Sequence, residues 1–131
     1  MILSDIYSYL LSSEVLKTAL EFSEEDTKIY PNYSRLSSRV PYLVYRSTNP
    51  GGTSDEVLSS EQLSLIITAD SFLQVVEISL ILTELLDLSD NKIPSAVYNI
   101  YYSKKIGGND YVDELGRHTR VLNFILKFKK Q

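Results

Sequence analysis

From Glu61 to Asp87 the apolar residues of this chain change period with no linker between the two patterns. Leu63, Leu65 and Ile67 alternate with Gln62, Ser64, Ile66 and Thr68, the repeat of two that a strand with one buried face requires. From Asp70 onward Phe72, Val75, Val76, Ser79, Leu82 and Leu86 recur at helical spacing, with Asp70 expected at the N-cap and Glu77 and Glu84 elsewhere on the helix. A strand feeding straight into an amphipathic helix commits the fold to a sheet with a helix laid on it. Leu73, Leu80, Ile81 and Leu88 fall outside the helical stripe, so this helix has more apolar surface than one sheet face covers. Its second contact is the N-terminal helix or another subunit.

The flanking segments complete the pattern. Ile6, Tyr9, Leu10, Val15, Leu16, Ala19 and Leu20 predict a helix over Asp5–Leu20, capped by Ser4 and kinked near residue 12, where Ser12 and Ser13 precede Glu14. The acidic run Glu24, Glu25 and Asp26 reads as a solvated connection, since it lacks the alternating ligands and glycine turn of a calcium loop. Residues 28–33 form a short extended piece, a polar segment follows from Ser34 to Val40, and residues 41–46, PYLVYR, read as a strand opened by proline. Asn49 to Gly52 signals a turn.

Beyond the turn-like Ser89 to Pro94, Ala96 to Ser103 reads as a strand, and Ser103 to Gly116 as a loop of about a dozen residues in which Gly107 and Gly108 serve as turn glycines. Arg117 to Lys129 forms the last strand. It places Leu122, Phe124, Leu126 and Phe128 on one face and Val121, Asn123, Ile125, Lys127 and Lys129 on the other. The expected fold is α+β: a mixed or antiparallel sheet of four to five strands against two helices, in the order αββαββ, with a long hairpin near the C-terminus. At 131 residues this makes one domain, residues 1–131, large enough to hold one core.

Chemistry is sparse. The chain has no cysteine, so disulfides, thiolate metal sites and thiol nucleophiles are excluded, and an intracellular setting is allowed. Its one histidine, His118, has no second histidine or cysteine to form a metal shell with. No G-x-S-x-G elbow and no phosphate-binding glycine loop occurs, and a triad built on His118 has no positive support. A pairing of Glu77 with Glu84 for acid and base work is explained more simply as a solvated helix face. No stretch approaches the ~20 apolar residues of a membrane span, and no signal-peptide pattern opens the chain. No enzyme activity, metal, cofactor or membrane partner is expected.

Charge and tyrosine are the informative features. Residues 1–103 carry 6 basic and 14 acidic side chains, whereas residues 104–131 carry 7 basic and 3 acidic. An acidic body argues against wrapping nucleic acid, which needs many lysine and arginine contacts to phosphate. A complementary neighbour, such as a copy of the same chain, fits better. Of ten tyrosines, seven cluster at residues 30–45 and 98–102, a residue type suited to surfaces that are half apolar and half wet. Ordinary strand preference and stacking on single-stranded nucleic acid are the competing readings.

The succession KIYP (residues 28–31), PYLVYR (41–46) and LSLIITADSFLQVVEISLILTELL (63–86) resembles the tail-completion or tail-terminator proteins of long-tailed, siphovirus-type bacteriophages. The resemblance implies a non-enzymatic virion protein, present in the host cytoplasm during assembly. It implies a homo-oligomeric ring, a hexamer, at the head-proximal end of the tail tube, with the tail tube protein and the head–tail connector as partners. The ring would end tube growth and let DNA pass as cargo in its lumen. The long loop from Ser103 to Gly116 is a departure from the family pattern. On this reading Tyr42, Tyr45, Leu80, Ile81, Tyr101 and Tyr102 lie in subunit contacts. Lys104, Lys105, Asp110, Tyr111 and Asp113 lie in a protruding arm toward the next ring, and Lys127 and Lys129, with Glu61, near the lumen or an inter-ring seam. The alternatives are another neck or minor tail protein, or a small oligomeric protein-binding module unrelated to phages.

Overall fold

A computed structural model describes residues 2–32, 39–47, 53–54, 59–89 and 93–131. The expected turn at Asn49–Gly52 and most of the polar segment from Ser34 lie outside the described residues. The elements run α1 (Ile2–Leu11), α2 (Glu14–Ala19), β1 (Ile29–Pro31), β2 (Tyr42–Ser47), β3 (Thr53–Ser54), β4 (Ser59–Ala69), α3 (Phe72–Leu86), β5 (Tyr98–Val112) and β6 (His118–Lys130). The α+β expectation holds: one mixed sheet in the order β1-β2-β4-β6-β5, with β3 beside β4, carries three helices. Only β1 and β2 pair in parallel; every other pairing is antiparallel.

The break in the N-terminal helix falls where expected. Ser12 Oγ donates to the Tyr9 carbonyl at 2.6 Å, drawing the chain out of the helical path. Ser13 Oγ then accepts from Leu16 N–H at 3.2 Å and caps α2. Ser4 does not cap α1, which already begins at Ile2. In α3 the cap is Ser71 rather than Asp70: its hydroxyl accepts from Gln74 N–H at 3.2 Å while its own backbone stays extended.

All three helices lie on one face of the sheet. Ile6 and Leu10 of α1, Leu16 of α2, and Val75, Ile78, Leu82 and Leu86 of α3 share a core with Leu43, Leu63, Leu65, Ile67, Leu122, Phe124 and Leu126. The register places these strand residues opposite one another, Leu65 against Leu122 and Leu63 against Phe124. The other face is covered by no described helix. Of the expected helical stripe, Phe72 is exposed, and Ile78 takes a core place that the stripe omitted.

Between β4 and β5 the chain crosses over through α3, and β6 then inserts between the two strands it joins. The C-terminal hairpin corrects one expectation. Residues 104–112, expected in a loop, continue β5 and pair with β6 down to Val112 opposite His118, leaving only a short turn before β6. The glycines explain the difference. Gly107 and Gly108 have φ of +142° and +158°, and a Cβ on Gly108 would stand 1.9 Å from the Val121 carbonyl oxygen. Gly108 lets the two backbones approach closely and Gly107 supplies a positive φ within the strand, instead of the pair making the turn. Register shifts at Ile100/Tyr102 and Lys105/Gly107 accommodate the extra residues. No loop-like arm protrudes from this segment: it is the edge strand of the sheet.

Candidate assembly interface

Strand parity decides which of the expected contact residues share a surface. Tyr42 and Tyr45 are three apart on β2 and point to opposite faces. Tyr45 lies in the core, stacked on Tyr7 with ring centroids 5.6 Å apart, and burial, with Tyr7 beside it, pushes its phenol pKa up. Tyr42 lies on the helix-free face, tilted against Tyr30 at 5.8 Å and overlaid by the Arg117 guanidinium at 5.5 Å. Both are buried in a single copy. Leu80 is 64% exposed, Ile81 is half-buried against the core, Tyr101 is exposed and Tyr102 half-buried.

The hairpin residues sort in the same way. Lys104 pairs opposite Ile125, Tyr102 opposite Lys127 and Asn99 opposite Lys129, which gathers Lys104, Lys127 and Lys129 on the uncovered face. Glu61 pairs opposite Leu126 and is buried on the helix-covered side, so it does not join those lysines. Lys105 is exposed on the edge strand, its backbone N–H donating to Asp87 Oδ1 at 3.3 Å.

Asp110 and Asp113 are ion-paired. Arg120 grips Asp110 at 2.6 Å, also donates to Ser79 Oγ at 3.3 Å, and lies 5.5 Å over the Phe72 ring. The Arg120 hydrogen bond holds the Asp110 carboxyl below the usual carboxylate range, against a smaller opposing effect of burial. Asp113 builds the turn: its Oδ1 accepts from Leu115 N–H at 3.0 Å and Arg117 N–H at 2.9 Å, and its Oδ2 from Arg117 Nε at 2.8 Å. Burial works against its ionised form, but these hydrogen bonds prevail and its pKa is lowered.

Tyr111 and Val112 are exposed beside Phe72, and with Val75 and His118 they line a cleft of about 240 Å³ between α3 and the hairpin. His118 meets the edge of the Phe72 ring at 6.4 Å, and no hydrogen bond joins it to a serine hydroxyl or a carboxylate among the described residues. The same residues contain no cluster of metal-ligating side chains and no helix long and apolar enough to cross a membrane. Exposed Ile106 and Leu115 are not singled out by the sequence pattern, whereas Val15 counts there as core-facing and the tertiary arrangement leaves it exposed.

No family model and no curated protein sequence matches this chain. A solved structure does: a chain in the virion of a native gene transfer agent particle superposes with a TM-score of 0.62 at 12% identity, covering 95% of this chain and 90% of that one. At that identity the likeness is one of fold, and it extends over nearly the whole of both chains.

Proposed function

We propose that this chain is a virion structural protein, a tail-terminator or completion protein that forms a ring on the head-proximal end of a tail tube, ends its growth and joins it to the head connector. The observation that carries this reading is the near full-length fold likeness to a chain of a virion particle. The order of elements is the one on which the terminator resemblance rests. A ring built from one chain needs two unlike surfaces that meet head to tail. The helical side and the uncovered sheet side differ in sign of charge, as such a contact requires.

Analytical ultracentrifugation of the purified protein, with negative-stain imaging of tail tubes mixed with it, tests the reading. A discrete oligomer that decorates one end of each tube is the expected result. A protein that stays monomeric and never marks tube ends would overturn it.

A further inference from the structure

Helix α3 turns Val75, Ile78, Leu82 and Leu86 into the core, and its opposite side reads Leu73, Glu77, Leu80, Glu84, at steps of four, three and four residues. All four are exposed, Leu73 by 74%. At 1.5 Å per residue this is an apolar ridge about 16 Å long, interrupted by carboxylates. The helix-bearing segments 2–26 and 70–89 hold ten carboxylates and a single basic residue, Lys17, which is itself paired with Glu14 at 3.0 Å.

The helix-free sheet face has the complementary chemistry on its β6 side. Val121 and Ile125 of β6 stand half-buried on it, flanked by Lys104, Lys127 and Lys129, and no described strand residue on that face is a carboxylate. Among the described residues none of the three lysines is in an ion pair, while Asp110 and Asp113 of the same hairpin are held by Arg120 and Arg117. Ridge and lysine face lie on opposite sides of a two-layer fold and cannot meet within one copy.

We propose that the outward ridge of α3 in one copy docks on the β6 face of the next, Leu73 and Leu80 covering Val121 and Ile125 while Glu77 and Glu84 reach the lysines. This rests on the ring reading and names the two surfaces that meet in it. The contact is heterologous, so it repeats from copy to copy and closes into a ring where the rotation per copy divides a full turn. The occupant is a second copy because the chain carries its own matching acidic ridge. A chain with net charge -4 is a poor holder of duplex DNA, the other polyanion such lysines would fit.

The test is a charge exchange in the full-length protein. Lys127→Glu with Lys129→Glu, and separately Glu77→Lys with Glu84→Lys, are each expected to weaken self-association about tenfold by sedimentation, with Tm little changed. Combining all four substitutions in one chain restores opposite signs and is expected to restore assembly. If the wild type forms an oligomer that neither pair disturbs, or if the fourfold variant folds but stays dissociated, the docking is wrong and the ring reading stands. If the lysine pair abolishes retention of a DNA duplex and leaves association intact, the face belongs to nucleic acid and the docking is overturned. A wild type that is monomeric with and without tubes removes both readings.

Discussion

Asp110 and Arg120 face each other across the β5–β6 pair and are joined twice, Arg120 Nε donating to Oδ1 at 2.6 Å and Nη2 to Oδ2 at 3.0 Å. This forked pair is a geometry stronger than a lone ammonium contact, and at the turn end of the hairpin Arg117 adds a single guanidinium bond, Nε to Asp113 Oδ2 at 2.8 Å.

Both carboxyls have native pKa values below their unfolded ones, so the stability they contribute is present above about pH 4 and is lost as the pH falls below that toward the native values. Melting followed from pH 7 to pH 3 is expected to show an acid-labile limb that flattens in Asp110→Asn with Asp113→Asn. Each of these partly exposed pairs is worth about 0.5 kcal/mol at neutral pH.

Gly108→Ala is expected to destabilise far more than Gly107→Ala. The new methyl at 108 meets backbone, the Val121 carbonyl oxygen at 1.9 Å and its carbon at 2.9 Å, whereas at 107 nothing lies within 4 Å and only the positive φ is strained. Strain of one such residue costs about 1 to 3 kcal/mol, and the clash at 108 adds to it by prying the strands apart. Urea unfolding of both variants, with amide exchange read along β5, separates the two.

Phe124→Ala and Leu80→Ala separate core from surface. Phe124 is fully buried, and its truncation is expected to cost about 3 to 5 kcal/mol. Leu80 is largely exposed, and the same change is expected to move chemical unfolding of the dissociated chain by no more than about 0.5 kcal/mol.

Ser103 is completely buried and its hydroxyl has no hydrogen-bond partner. Ser103→Ala removes that unsatisfied group with little loss of volume, so an unchanged or raised Tm is expected. A drop of several degrees in a thermal melt would show that the hydroxyl is satisfied by something else.

Much of this fold was legible because hydrophobic period is a local signal. The switch at Ala69 marks the end of β4, and the alternation from Leu122 to Phe128 marks the buried face of β6. What required the structure was pairing. Adjacent Asp70 and Ser71 are equally able to cap a helix, and only the backbone geometry chooses Ser71. The Gly107–Gly108 pair reads as a turn until its partner strand is known. The site divides in the same way. Exposed Leu80 and the run of alternating lysines on β6 were visible in sequence, whereas the separation of Glu61 from Lys127 and the grip of Arg120 on Asp110 depend on register across strands, some of it shifted by irregularities no local pattern encodes.

At Ser103 the free side of β5 exchanges two backbone hydrogen bonds with Leu88, at 2.8 and 3.0 Å, and two residues later the Asp87 carboxylate takes the outward amide of Lys105. Together with the two slips in register, this breaks up the straight row of donors and acceptors on which a stray chain would otherwise crystallise fibril-fashion. The β5 edge of the sheet is thereby blunted against runaway strand-to-strand polymerisation.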